Sequence, residues 1–370
     1  MEMQKFKMPE YFPPDFEKLK DAPNAKLIEV KKDGLSPFGY HALSVFPEYF
    51  KVNGKWVLAL ESRMDTVAVV DDTKGREKVS VVEFRNLKKG DKVVVGRSED
   101  GSEGIFVYTD GFVDKSKKEN ATFAFREGRS RETAFSMDYD SLYEILEYEK
   151  NHHGFITWIL GTATSLDKSS ADSLKRLIEN GYVHAIFAGT SAIACDLEMA
   201  IFGTIQGQDE YLEDKNTREN YYDTISRVNE AGGIKAYVLK EDLKEGFVSA
   251  AVRNKVQIII AGTIRDRYTF VDTYNNVYQA QDAMRAITKK TSTLIMSSAI
   301  LFTIATGNMT PSYTMIDGKV RPTFMYTVDI QEFAVNKLSD RGTLTAKSIV
   351  TNSVDFIRNV DRGLNESKKI

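Results

Sequence analysis

Apolar positions follow two regimes along the chain. From about residue 48 to 115 they come in short valine-rich runs, YFKVNGKWVLAL, TVAVVDD and DKVVVG, separated by charged, glycine-containing spacers such as DDTKGREK and NLKKGD. Short β-branched runs bounded by turn residues predict strands. Asn53-Gly54, inside the first run, predicts a type I′ hairpin. From about residue 137 the pattern alternates. MDYDSLYEILEYEKNHHG has Leu and Ile at helical spacing, and FITWILG reads as a strand. Then come SADSLKRLIENGY (helix), VHAIFAG (strand), TRENYYDTISRVNEAGG and LKEGFVSAAVRNK (helices) and VQIIIAG (strand). VYQAQDAMRAITKK (helix), TLIMSSA and TFMYTVDI (strands), QEFAVNKLSD (helix) and a C-terminal helical stretch complete it. Such alternation predicts βαβ units, a mainly parallel sheet and right-handed crossovers, with all strand C-ends on one edge.

The expected fold is therefore α/β. A Rossmann-like, mainly parallel sheet flanked by helices spans 136–370, preceded by a small β-rich domain over 48–135 and a proline-rich N-terminal arm over 1–47. Two domains also suit a chain of 370 residues. Six of the eight prolines lie in those first 47 residues. Proline breaks helices and removes a backbone donor, so an extended arm is expected, lying over the rest of the protein or touching a second copy. A homo-oligomer is accordingly expected.

Composition narrows the partners. A net charge of −3 carries no basic excess, so no nucleic-acid partner is expected. The single cysteine, Cys195, permits no internal disulfide framework and fits a reducing compartment. No segment has a signal-peptide core or the apolar length of a membrane span. The expectation is cytoplasmic, with no membrane partner. The four histidines, His41, His152, His153 and His184, have no metal-ligand spacing, so no metal is expected. The chain also lacks G-x-G-x-x-G, the P-loop pattern and G-x-S-x-G.

The most informative stretch is VQIIIAGTIRD, residues 256–266. It reads as a buried parallel strand, and in open α/β sheets ligands bind beyond the strand C-ends. Gly262 would let a ligand approach the backbone, and Arg265 and Asp266 would flank the crevice as a clamp for a carboxylate and an amine. Their alternative is a surface salt bridge. Small residues recur after apolar runs: Gly161-Thr162-Ala163, Gly189-Thr190-Ser191, Gly262-Thr263 and, through Met309, Thr306-Gly307-Asn308. One such loop is an ordinary turn; the set predicts backbone N–H groups meeting a pyrophosphate or ribose. Asp329 ends a strand, where an acid either accepts bonds from an adenosine ribose or caps the next helix. Asp196 and Glu198 lie two apart, so at most one points into a crevice; Glu198 is the candidate.

In order, VNGKWV, RMDTVAVVDD, KKGDKVVVG, AGTSAIACDLE, NEAGGI, VRNKVQIIIAGTIRD, QAQDAM, IATGNM and DRGTLTAKSIVT resemble the archaeal-type, NAD-dependent ornithine cyclodeaminase family, also called LOR/SDH. The same module forms the C-terminal part of arginine dihydrolase/ornithine cyclodeaminase fusions. The resemblance implies bound NAD and a small amino-acid substrate. Ornithine's Cα amine is oxidised to an imine, ammonia leaves as the ring closes, and hydride returns to give proline. The resemblance gives Asp266 the base role and Arg265 the carboxylate grip. The family's AGNALATHDIE is AGTSAIACDLE here, placing its Asn on Thr190 and its His on Cys195. Its IRDDGPLPD is IRDRYTFVD here, placing Arg267 where a second acid is expected. These differences fall on substrate-facing loops. They leave three readings: an ornithine cyclodeaminase-like ammonia-lyase, an amino-acid oxidoreductase of the same fold, or a non-catalytic NAD- or metabolite-binding protein.

Overall fold

The short valine-rich runs form two antiparallel sheets. The strands are β1 (Lys26–Glu29), β2 (Glu48–Val52), β3 (Lys55–Leu58), β4 (Val67–Asp71), β5 (Lys78–Val82), β6 (Lys92–Val95) and β7 (Ile105–Val107). One sheet has the order β1-β6-β4-β5 and the other β3-β2-β7. Val70, Val79, Val81, Val94, Phe50 and Ile105 fill the core they share. Asn53 and Gly54 take φ of 50° and 80° between β2 and β3, the left-handed pair that a type I′ turn requires. The computed structural model describes residues 6–112, 130–131, 137–208, 217, 219–331 and 345–366.

The proline-rich opening is more than an arm. Residues 26–29 are β1, paired antiparallel with β6. Upstream, Phe16 stacks on Trp56 with ring centroids 4.9 Å apart. Tyr11 and Tyr49 share a hydroxyl–hydroxyl bond of 2.6 Å. Phe6 reaches the second half of the chain, edge-on to Tyr148 and Phe324.

That second half is one parallel sheet. Its strands are β8 (Ser130–Arg131), β9 (Ile156–Leu160), β10 (Ala185–Ala188), β11 (Gln257–Ala261), β12 (Thr273–Tyr274), β13 (Thr293–Ser297), β16 (Phe324–Asp329) and β17 (Ala346–Val350), with a separate hairpin of β14 (Tyr313–Ile316) and β15 (Lys319–Pro322). The order is β12-β11-β10-β9-β13-β16-β17-β8, and every pairing is parallel. Side chains alternate between two cores, as the pleat dictates. Trp158, Leu160, Ile186, Ile260, Ile295 and Tyr326 face one core; Ile159, Phe187, Leu294, Met296 and Met325 face the other. The helices are α1 (Met137–Asn151), α2 (Lys168–Glu179), α3 (Thr190–Phe202), α4 (Asn220–Glu230), α5 (Ile234–Lys240), α6 (Phe247–Arg253), α7 (Val277–Thr288), α8 (Ile300–Met309) and α9 (Ser353–Glu366). α1 to α6 and α9 pack on the first face, α7 and α8 on the second. With both faces covered, the inner strands read as unbroken apolar runs.

One local expectation changes and another falls outside the described residues. In LKEGFVSAAVRNK, residues 243–255, the helix starts only after Gly246, whose φ is 84°; it is α6, and α5 is a separate helix that ends before this stretch begins. QEFAVNKLSD falls on 331–340, of which only residue 331 is described. The β14–β15 hairpin turns on Asp317-Gly318, with φ of 50° and 75°. It carries Tyr313, whose buried hydroxyl donates to Ala59 O at 2.6 Å, tying the sheet domain to the β-rich one. Buried Arg63 pairs with Glu83, which also takes Arg285 from α7.

Chain order reverses between β9 and β13, so the crevice of an open α/β sheet lies beyond their C-ends. The Gly161 N–H donates to Ser297 O at 2.9 Å. A Cβ on Gly161 would stand 2.0 Å from Ser298 O. Glycine is required there by the chain's own backbone. Gly161→Ala is expected to destabilise the protein by about 1–3 kcal/mol or more, because backbone cannot step aside. Gly189→Ala, whose Cβ would meet only Thr263 Cγ2 at 4.0 Å, should stay within about 1 kcal/mol of the parent. Urea unfolding of the two variants measures the contrast, and equal losses contradict it.

Candidate active site

Helix α3 starts directly from β10. Gly189 is its N-cap, in extended conformation and with no side-chain cap, so first-turn N–H groups open towards the strand C-ends. Thr190 is buried and its hydroxyl donates to Asp266 Oδ2 at 3.0 Å. The Thr263 N–H donates to the same oxygen at 2.8 Å. Asp266 thus joins the loop after β10 to the loop after β11. A crevice of about 460 Å³ opens beside it, a size typical of small-molecule sites.

Four of the residues singled out in the sequence meet there: Thr162, Ser191, Arg265 and Asp266. Gln206, Tyr221, Tyr222, Arg267 and Tyr268 also line it. The two arginines are exposed. Tyr221, Tyr222 and Gln206 carried no sequence signal, since their place depends on how α4 and the Thr204–Gly207 turn pack; Tyr268 stands on the β11 loop next to Arg267. Tyr221 hydrogen-bonds Ser191, and burial pushes its phenol up, so it stays a proton donor. Cys195, one helical turn from Ser191, is buried; burial and the nearby Glu198 push its thiol up to about 12, far from a reactive thiolate.

Glu198 requires correction. It is fully buried and accepts bonds from the Thr204 hydroxyl at 2.8 Å and from the N–H groups of Gln206 and Gly207 at 2.8 and 2.7 Å. It holds the turn that presents Gln206 and does not face the crevice. Asp196 caps α6, accepting from the Phe247 and Val248 N–H groups at 3.1 and 2.9 Å. Both acids of the pair are anchors.

Three loops also differ from expectation. Thr306, Gly307, Asn308 and Met309 lie in the last turns of α8, not on a loop after a strand. No proline intervenes between Ile300 and Pro311, so the apolar run continues as helix through Gly307. The Met309 carbonyl accepts from the Thr288 hydroxyl, at the end of α7 just before β13 begins, so the helix ends near the opposite sheet edge. The loop that does follow β13 is Ser298-Ala299. Gly262 does not hold space for a ligand either: a Cβ there would meet Asn275 Oδ1 at 2.7 Å. Gly161, as shown above, is closed by Ser298, although Thr162 beyond it lines the crevice and Ala163 is half-buried.

On the other side of the reversal, Asp329 ends β16 and its carboxylate accepts from the Gln331 N–H at 2.9 Å. The hydroxyls of Thr164, Ser297 and Thr306 are buried without a partner among the described residues. Unpartnered buried hydroxyls are costly in a closed protein, and Thr164 and Ser297 sit on the elements that meet at the reversal. The described residues contain no group of three His, Cys, Asp or Glu placed to hold a metal. No described helix is long and apolar enough to cross a membrane.

Residues 141–360 match the family model described as arginine dihydrolase ArgZ-like, C-terminal, Rossmann fold, and 47–133 match its C-terminal first region. The chain is 31% identical over 342 residues to an ornithine cyclodeaminase of Methanococcus maripaludis, covering 90% of this chain and 78% of the relative. A conserved LOR/SDH protein from Methanococcus maripaludis superposes with a TM-score of 0.80 at 28% identity, over 94% of this chain and 99% of that one. The ternary complex of AgrE with ornithine and NAD+ has a TM-score of 0.56 at 24% identity, over 94% of this chain and 47% of AgrE; that likeness is one of fold.

Asp196 supplies a pH test. Burial raises its carboxyl to about 7 despite two amide donors, against about 3.9 in an unfolded chain. The folded state holds the proton more tightly, so this contribution to stability is complete below about pH 4 and is lost as pH rises through about 7. Asp196→Asn does not titrate. Urea unfolding at about pH 5 and pH 8 should show wild type losing stability relative to the variant as pH rises. A pH-independent difference contradicts the assignment.

Proposed function

We propose, from the premise that the chain belongs to the ArgZ-like C-terminal family and is a relative of the archaeal ornithine cyclodeaminases, that it is an NAD-dependent enzyme acting on the Cα amine of a small amino acid. The observation that carries this is the crevice at the strand C-ends, where Asp266 and two arginines stand beside the uncapped start of α3. AgrE, of the same fold, binds ornithine and NAD+.

The residues present suit the cofactor. Asp329, at a strand end next to β13, has the chemistry to accept bonds from a ribose. The hydroxyls of Ser297 and Thr164 offer donors that nothing else among the described residues engages. Thr162 and the Gly189-Thr190-Ser191 turn offer backbone N–H groups to a pyrophosphate. NAD, when bound, supplies a reversible two-electron acceptor next to the amino acid.

The chain's own residues do the rest. Asp266 holds the substrate amine and takes its proton, with Thr190 and Thr263 fixing the carboxylate's orientation. An arginine grips the α-carboxylate through a charge-assisted pair. The Tyr221 hydroxyl, kept protonated by burial, donates to a substrate oxygen. Ornithine cyclisation with loss of ammonia is the reference reaction. A second reading, an oxidoreductase of the same fold with another amino-acid substrate, is favoured by Arg267 beside Asp266.

Calorimetry with NAD, and assay of ammonia, cyclic imino acid and NADH from a panel of amino acids, test the proposal. Asp266→Asn should lower turnover by about 100-fold or more while NAD affinity is little changed. Asp329→Ala should weaken NAD by about tenfold or more, the worth of a hydrogen bond to a charged group. Absence of NAD binding overturns the proposal. NAD binding with no turnover of any amino acid leaves a binding protein in place of an enzyme.

A further inference from the structure

The charged groups that line the crevice do not match a diamine. Arg265 and Arg267 flank Asp266 on one short loop, and all three line the same space. Both guanidiniums are exposed, and neither has an ion pair or side-chain hydrogen bond among the described residues. Asp266 is the one carboxylate in the described lining, and one of its oxygens already accepts two bonds. The remaining polar lining is neutral: Thr162, Ser191, Gln206 and three tyrosines. Glu198 and Asp196, the nearest acids along α3, are engaged elsewhere.

A monocarboxylic amino acid brings one ammonium and one carboxylate. Asp266 and one arginine answer those, leaving a second guanidinium without a counter-charge. Ornithine or lysine would add a second ammonium beside that guanidinium, and like charges at close range repel. An amino acid with a second carboxylate matches the lining group for group, and a planar guanidinium suits a carboxylate through paired N–H···O bonds.

Resting on the reading that this crevice takes a small amino acid, we propose that the preferred substrate is an α-amino dicarboxylic acid of glutamate type, with Arg267 as the residue that selects its side-chain carboxylate.

The full chain is titrated with L-glutamate and with L-ornithine, each with and without saturating NAD, following heat and intrinsic fluorescence. Glutamate should bind at least about tenfold more tightly than ornithine, the worth of one charge-assisted hydrogen bond. Arg267→Glu should reverse that order, and Arg267→Lys should keep it. Because Arg267 is exposed, these variants should unfold at the same urea concentration as wild type, which checks the fold. Tighter binding of ornithine by wild type, binding of neither ligand at millimolar concentration, or an unchanged preference in Arg267→Glu overturns the proposal. So does an Arg267→Glu variant that loses NAD and keeps glutamate, since the arginine then serves the cofactor. Failure of NAD to bind wild type would instead strike the NAD-dependent reading, and the titrations without NAD would still decide the selectivity.

Discussion

The contact between Gly161 and the end of β13 sets the geometry on which the crevice depends. Two strands that lead the chain in opposite directions across the sheet meet there, and a single N–H···O bond joins their exits. Backbone stands so close that no side chain fits. The inner strands are apolar on both faces, so chemistry is confined to the loops beyond their ends. The Gly161–Ser298 closure fixes how those loops face each other: the β10 and β11 loops with their charges on one side, the β16 end with Asp329 on the other. Ser298 takes a left-handed φ of 52° to complete it, a conformation uncommon outside glycine.

Helix α3 organises the charged side. Its start faces the crevice, and its two acids reach away from it. Asp196 holds the first turn of α6, and Glu198 holds the turn carrying Gln206. A buried acid is tolerated only with partners; Asp196 finds backbone donors about fifty residues on, in α6, and Glu198 finds its donors in the turn that follows α3. The same logic governs Asp266, whose oxygen draws the β10 and β11 loops together. Three acids within reach of one helix therefore do different work: two fix neighbouring segments and one remains at the mouth.

Much of this was legible in the sequence. Alternating apolar runs and helical periods gave the parallel sheet and its helices, because a doubly covered sheet leaves a strong pattern. Asn53-Gly54 and the strand-ending Gly-Thr pairs stood out because turns need particular residues. The acids were not legible: Asp196 bonds residues 51 and 52 positions away, and nothing local announces such partners. Thr306 to Met309 misled because small residues in a loop and small residues in a packed helix look alike; only the absence of proline before Pro311 distinguishes them. Gly262 misled for a related reason, since a close approach is visible in sequence but not what approaches. Tyr221 and Tyr222 were silent, as α4 shows only a helical pattern and not which end of the sheet it meets.

The N-terminal strap carries a consequence for the order of assembly. Phe6 rests on Phe324, more than three hundred residues later in the chain. During synthesis the segment around Phe6 must wait until nearly the whole sheet has been made before it finds its seat. Closing so long a loop adds an entropic cost that grows only slowly with length. Phe6 is thus made long before its seat exists and is among the last side chains to settle.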